Sequence, residues 1–172
     1  MITLINATNR PDNRTSVISQ TYQQFLITAE VPFQYLNLED VNGEMLIQQS
    51  LGNKQEKFEE LIKKYINSAD KLIIVAPEYN GSFPGILKLF IDAMPHKALD
   101  GKKIALAGVA TGRGGNLRGL DHLTGIFHYL NVHVMPFKLP ISVVAVLIKD
   151  GKVTSEFLLN DIQKQVNLFV NY

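Results

Sequence analysis

Three stretches of the chain carry residue types that bind rather than react. The first is Asn6-Ala7-Thr8-Asn9-Arg10-Pro11-Asp12-Asn13-Arg14-Thr15-Ser16. Thr8, Asn13, Thr15 and Ser16 offer short polar side chains, and Arg10 offers a charge-assisted pair, a combination suited to an anion such as a phosphate. A helix beginning directly afterwards adds free backbone N–H groups and a partial positive charge. The same residues equally suit plain helix capping by Asn13 or Thr15. The second stretch is Pro77-Glu78-Tyr79-Asn80-Gly81-Ser82-Phe83-Pro84-Gly85. Pro77 stiffens its start and Gly81 permits a turn with positive φ. Tyr79 has a flat amphipathic face, and Asn80 both donates and accepts hydrogen bonds. Such a loop can present N–H groups and an aromatic edge to a planar heterocycle; it can also be a well-built turn around a core tyrosine. The third stretch is Thr111-Gly112-Arg113-Gly114-Gly115-Asn116. Its glycines let backbone approach something flat and close, or simply make a flexible turn.

Several chemistries are excluded. The chain has no cysteine, which removes disulfides, thiolate nucleophiles and cysteine-ligated metal or Fe–S centres. His96, His122, His128 and His133 fall at no metal-ligand spacing. Gly81-Ser82-Phe83-Pro84-Gly85 is not a G-x-S-x-G elbow. Neither G-x-G-x-x-G nor G-x-x-x-x-G-K-[ST] follows the first apolar run, so the chain is neither a Rossmann dinucleotide binder nor a P-loop NTPase. A formal net charge of +1 gives no electrostatic case for nucleic acid or an anionic membrane surface. No apolar run approaches the ~18–20 residues of a membrane span, and the N-terminus has no basic leader, so a cytoplasmic location is expected. Binding groups without an acid, base or nucleophile suit an enzyme whose cofactor supplies the reactivity.

The elements that position these stretches can be read from periodicity. Short apolar runs at 2–6, 33–38, 71–76, 102–110 and 132–136 read as strands. Between them, helical spacing places Val17, Ile18, Tyr22, Phe25, Leu26 and Ala29 on one face. It does the same for Phe58, Leu61, Ile62, Tyr65 and Ile66, for Leu87, Phe90, Ile91 and Met94, and for Leu117, Leu120, Leu123 and Phe127. A short helix is expected over 44–52, and a last one carries Leu158, Ile162, Val166 and Phe169. The apolar run 141–148 is expected to extend the sheet edge or form an interface. The helix after Pro84 has an apolar arc of roughly 200°, wider than one sheet face requires, which points to a second subunit or to deep burial. The alternation predicts one α/β domain over residues 1–172. It has three layers around a doubly wound, five-stranded parallel sheet in the order 2-1-3-4-5. The three polar stretches then leave the carboxyl ends of strands one, three and four, the edge where such sheets bind ligands.

The stretch Ala-Pro-Glu-Tyr-Asn-Gly-Ser-Phe-Pro-Gly-Ile-Leu-Lys, with Ile91-Asp92 following, resembles the signature of the NADPH-dependent FMN reductase family, flavodoxin-like flavoproteins that include azo-dye, quinone and chromate reductases. The first stretch resembles that family's Gly-Ser-x-Arg-x-x-Ser-x-Thr phosphate loop, with Thr8, Arg10, Asn13 and Thr15 in place and two departures, Ala7 for glycine and Asn13 for serine. Gly112, Gly114 and Gly115 roughly match its Gly-x-x-Gly-Gly pattern. The resemblance implies a flavodoxin-like fold, FMN as cofactor and NADPH as reductant. It also implies hydride transfer to flavin N5 and on to a small-molecule acceptor such as FMN, a quinone or an azo compound, and a homodimer or homotetramer. On that basis Thr8, Arg10, Asn13 and Thr15 are expected to hold the phosphate. Pro77, Glu78, Tyr79, Asn80 and Gly81 are expected along one edge of the ring, mostly through backbone, and Thr111, Gly112 and Gly115 along the other. Arg113 and Arg118 are candidates for the nucleotide's 2′-phosphate. A flavodoxin-type electron carrier and a non-catalytic flavodoxin-fold binding protein are the alternatives. Arg10 and the near-neutral charge speak against the carrier, because flavodoxins tend to be acidic and lack that arginine.

Overall fold

Leu72-Ile73-Ile74-Val75-Ala76-Pro77 lies buried in the central strand β3 (Lys71–Pro77), in a computed structural model that describes residues 1–172. Its side chains alternate between two cores. Leu72, Ile74 and Ala76 face one, with Phe58, Phe90, Leu106 and Phe127; Ile73 and Val75 face the other, with Leu4, Ile18, Tyr22, Ala105, Ile162 and Phe169. A strand covered on both faces has no position for an unpaired polar group, which is why the run is apolar throughout. β1 (Ile2–Asn6) lies parallel to β3 with Ile2 opposite Lys71, and β2 (Phe33–Asn37) lies parallel to β1 on its outer side. β4 (Lys103–Val109) pairs with the other edge of β3, Lys71 opposite Lys103. The order is β2-β1-β3-β4-β5, as the alternation of elements predicts.

Helices α1 (Arg14–Thr28) and α7 (Glu156–Val170) bury their apolar stripes on one face of the sheet. The other face is covered by α2 (Gly43–Ser50), α3 (Glu56–Ile62), α4 (Gly85–Ala93) and α5 (Leu117–Tyr129). The broad apolar arc of α4 finds two uses. Leu87 and Phe90 enter the core beside α2, while Lys88, Ile91 and Met94 border a groove shared with Ile126, Tyr129 and Leu130 of α5. A π-helical turn, Lys63–Asn67, ends α3, and the Tyr65 carbonyl there accepts from the Thr3 hydroxyl in β1.

The fifth strand departs from expectation. Instead of one segment over 132–136, its place is shared by β5 (His133–Val134) and β6 (Leu139–Ile141), which pair with opposite ends of β4. The gap between them contains Pro136, which supplies no N–H, whereas Pro140 sits inside β6 opposite Gly108. Nor does the run 141–148 extend the sheet. After Ile141 it turns at Val143, forms the short helix α6 (Val144–Leu147), and enters a hairpin of β7 (Ile148–Lys149) and β8 (Lys152–Val153). No helix is long and apolar enough to cross a membrane.

Candidate functional site

Three loops meet at the carboxyl edge of the sheet. The first links β1 to α1. Asn13 caps the helix, its Oδ1 accepting from the Ser16 N–H at 2.8 Å, while its Nδ2 donates to the Arg10 carbonyl at 2.7 Å. That folding-back leaves the backbone N–H groups of Asp12, Asn13, Arg14 and Thr15 without an acceptor in the chain. A run of unpaired donors at a helix N-terminus, with Arg10 and Arg14 beside it, has the chemistry to receive an anion.

The second loop leaves β3. The Glu78 N–H donates to the Val109 carbonyl at 2.7 Å, and Tyr79 and Ser82 exchange backbone hydrogen bonds at 2.9 and 3.0 Å. Asn80 takes φ 51° and Gly81 φ 74°, so the tip is a tight left-handed turn. The N–H groups of Asn80 and Gly81 are left free. The tip is supported from two sides. The Tyr79 hydroxyl lies 2.7 Å from the Thr8 hydroxyl, and the Arg10 guanidinium sits 4.6 Å from the Tyr79 ring centroid, so the first two loops are tied together. On the far side, Arg118 of α5 presses on Gly81, where an added Cβ would fall 2.7 Å from Nη1, and His122 Nδ1 lies 2.9 Å from the Ser82 hydroxyl.

The third loop leaves β4. Gly112 opens onto free space, whereas Gly115, at φ 56°, abuts β6, an added Cβ falling 2.8 Å from Pro140 Cβ. The strand-like segment beyond β6 is pinned to this loop. Val143 N–H donates to the Gly112 carbonyl at 2.9 Å, and the Ser142 hydroxyl to the Arg113 carbonyl at 2.7 Å. Val143 adopts φ 44°, ψ 40°, a costly conformation for a β-branched residue, held by those bonds.

Between the loops lies a cavity of about 210 Å³ lined by Arg10, Asp12, Asn13, Arg14, Thr15, Pro77, Glu78, Tyr79, Val109, Ala110, Thr111 and Val144. All four arginines of the chain belong to this edge: Arg10 and Arg14 in the cavity wall, Arg113 in the third loop, and Arg118 against Gly81. None is in an ion pair.

The sequence matches the family model described as NADPH-dependent FMN reductase over residues 1–143. The chain belongs to the NADPH-dependent FMN reductase family. It is 34% identical over 100 residues to a 2-hydroxy-1,4-benzoquinone reductase from a Burkholderia species, covering 56% of this chain and 55% of that one. It is 38% identical over 77 residues to an NAD(P)H-dependent FMN reductase of Pseudomonas aeruginosa, covering 43% and 42%. The matches thus span about half the length of these relatives. In fold it resembles a flavoenzyme NAD(P)H:(acceptor) oxidoreductase from Paracoccus denitrificans, with a TM-score of 0.80 at 22% identity over 99% of this chain and 95% of that one.

The residues expected from the sequence divide into two groups. Arg10, Asn13, Thr15, Pro77, Glu78, Tyr79 and Thr111 line one cavity. Thr8, Asn80, Gly81, Gly112 and Gly115 do not. Thr8 is fully buried, and its hydroxyl is spent on the Arg10 N–H and Tyr79, which makes it a strut. Asn80 and Gly81 make the turn that follows Tyr79, Gly112 follows Thr111 with open space around it, and Gly115 serves the packing of the third loop on β6. Pro77 and Glu78 differ from the expected backbone role, because the Pro77 carbonyl and the Glu78 N–H are both consumed inside the protein. Sequence reasoning missed Val144, Val109 and Ala110 in the wall, and Asn116 beneath it. The apolar three carry no local signal; Asn116, directly after Gly114 and Gly115, reads as loop until its burial is known.

Proposed function

We propose that the chain is an FMN-dependent NAD(P)H oxidoreductase, a single FMN-binding domain over residues 1–172 that passes reducing equivalents to a small acceptor such as FMN itself, a quinone or an azo compound. The observation that carries the reading is one cavity whose two ends ask for different chemistry. One end has unpaired N–H groups of α1 with Arg10 and Arg14, fit for a phosphate. The other has Tyr79, Thr111 and a rim of free N–H groups at Asn80 and Gly81, fit for the edge of a planar ring with hydrogen-bond acceptors. Bound there, FMN would supply the two-electron chemistry, taking hydride from the nicotinamide and delivering it to the acceptor. The chain's own part is binding and orientation. Arg10, Arg14 and the Asp12–Thr15 N–H groups would neutralise the phosphate, and Asn13 would hold the donors in place by capping α1 through its side chain. Asn80 and Gly81 would set the ring edge, with Gly112 leaving the opposite rim low enough for a second planar molecule to lie close.

NADPH is the reductant in this reading. A 2′-phosphate needs cations beyond those at the FMN phosphate, and Arg113 and Arg118 stand ion-pair-free at the rim. A cytoplasmic location follows from the need for reduced nicotinamide cofactor. A homodimer or homotetramer is supported by the apolar groove of about 550 Å³ between α4 and α5, where Tyr129 is 85% exposed. Light scattering on wild type and Tyr129→Glu tests the oligomer: the variant should run one association state lower, and equal masses would remove this interface.

The deciding experiment is the visible spectrum of protein incubated with FMN and desalted, followed by anaerobic titration with NADPH. Oxidised-flavin bands that bleach stoichiometrically are expected. Failure to retain or bind FMN would refute the reading, and bound flavin that NADPH leaves oxidised would return it to the electron-carrier class.

A further inference from the structure

Asn116 does not line the cavity but hydrogen-bonds two residues that do, Pro77 and Glu78. It is 1% exposed, stands at the N-cap of α5 and takes φ 62°, ψ 27°. Its Nδ2 donates to two carbonyls, Ala76 and Pro77, each at 3.1 Å. Its backbone N–H donates to the Glu78 carboxylate at 3.2 Å. One residue of the third loop therefore holds three consecutive residues at the exit of β3.

The reason lies in the sheet. β1 ends at Asn6, opposite Val75, and the last bond across that edge is Ala7 N–H to the Val75 carbonyl at 2.9 Å. β3 runs two residues further, so the Pro77 carbonyl, on the same side as that of Val75, outreaches β1, whereas the Ala76 carbonyl points the other way, toward β4. A primary amide carries two N–H donors on one nitrogen, so Asn116 can serve the strandless Pro77 carbonyl and the adjacent Ala76 carbonyl at once. Aspartate has the same shape but only acceptors when ionised; serine has one donor and a shorter reach. The surroundings are cut to fit. A Cβ on Gly119 would collide with Asn116 Oδ1, and a Cβ on Gly108 would lie 2.9 Å from Asn116 Cβ. The Oδ1 itself has no partner, so the pocket is shaped for the two donors at the cost of one buried acceptor.

We infer that Asn116 is a positioning residue: by clamping the Ala76 and Pro77 carbonyls it fixes the direction in which the Glu78–Ser82 loop leaves β3, and so the placement of the free Asn80 and Gly81 N–H groups. The role rests on the flavin reading of the site, but the clamp itself does not. Its consequence is selective. The phosphate end is built on α1 and does not pass through Asn116, so the ring end alone should suffer when the clamp is lost.

The test uses Asn116→Asp and Gly119→Ala, the second leaving the amide in place but displacing it. Hydrogen–deuterium exchange without added ligand reads the clamp directly. The hydrogen-bonded Glu78, Tyr79 and Ser82 amides should exchange at least ~10-fold faster in both variants while α7 amides keep their protection; unchanged exchange at these three overturns the proposal, whatever flavin does. Equilibrium binding of FMN and of riboflavin, which lacks the phosphate, reads the consequence well below the melting temperature. Both affinities should fall by the same factor, ~10-fold or more, leaving their ratio as in wild type. A lowered Tm with both affinities intact would mean a purely structural residue and would also overturn it. Faster loop exchange in a protein whose wild type binds neither flavin would uphold the clamp and refute the flavin site instead. If Asn116→Asp does not fold, Gly119→Ala carries the same comparison.

Discussion

Replacing Arg10 with alanine separates the two ends of the cavity. Arg10 is in the wall and lies 4.6 Å from the Tyr79 ring centroid. A hydrogen bond to a charged group contributes about 1.5–3 kcal/mol. The contact with Tyr79, worth about 0.5–1 kcal/mol, competes for the same guanidinium. The difference, about 1–2 kcal/mol, corresponds to FMN binding weakened ~5–30-fold. Riboflavin has no phosphate and gains nothing from Arg10; its affinity in Arg10→Ala should stay the same or tighten by up to ~5-fold, because the ring of Tyr79 is released. Flavin-fluorescence titration of wild type and variant at ~0.1 M and ~1 M salt measures both effects. The FMN gap should narrow at the higher salt, where the Debye length falls from ~10 to ~3 Å. An equal loss for FMN and riboflavin would place Arg10 at the ring end and refute the assignment. An unchanged FMN affinity would remove Arg10 from the site altogether.

Other perturbations follow from single contacts. Thr8→Val and Tyr79→Phe both delete the 2.7 Å hydroxyl pair, and Thr8→Val also strips the Arg10 N–H of its acceptor, so Tyr79→Phe should lower stability by about 1 kcal/mol, Thr8→Val by more, and the double variant by little more than Thr8→Val; additive losses in urea melts would mean the pair does not couple the loops. Gly115→Ala must clear Pro140 at φ 56° and should cost about 2–4 kcal/mol, whereas Gly112→Ala, with open space around it, should melt like wild type; equal melting temperatures for the two would contradict the packing. Arg118→Ala should reduce kcat/KM for NADPH ~10-fold relative to NADH if that guanidinium meets the 2′-phosphate, and equal reduction for both nucleotides would assign it elsewhere. Phe90→Ala, fully buried edge-on to Phe58 at 6.0 Å, should cost about 3–5 kcal/mol in denaturant unfolding.

The carboxyl edge was legible in the sequence because its signals are local. A β-branched run, a proline and a glycine are enough to mark β3 and its loop, and the polar crowd between Asn6 and Ser16 marks the β1–α1 turn. The two readings of that turn are not rivals in the structure. Asn13 does cap α1, and by doing so it uses up its side chain and leaves the helix N–H groups bare. What stayed hidden depends on partners distant in sequence. The fifth strand breaks between Val134 and Leu139, and which of its residues meet β4 is not set by apolar periodicity. In the run 141–148 Ile141 and Val144 are buried while Val143 and Val146 are exposed, and the chain turns into a short helix where apolar content alone suggests an extended strand. Asn116 gives no local signal at all; its meaning lies in carbonyls some forty residues away.

The near-neutral net charge conceals a sorting of cations by type. All four arginines lie at the carboxyl edge and make no ion pair. At the opposite edge, Lys71 donates to the carbonyls of Phe169 and Val170 at 3.1 and 2.8 Å, Lys103 to Tyr172, and Lys102 to Ala69. Those lysines close the bare C-terminal carbonyls of α7 and the turn before β3, a task for a compact charge with rotatable donors. Partial burial, with Lys103 nearby, pulls the Lys71 ammonium below its ordinary range. A guanidinium offers a flat, forked donor set, wasted on a single carbonyl but matched to phosphate oxygens. Swapping the two residue types between edges would preserve the net charge and abolish the distinction. Charge-conserving Arg10→Lys should accordingly recover long-range attraction for FMN but not the full affinity; complete recovery would show that the site asks only for a positive charge and not for the arginine fork.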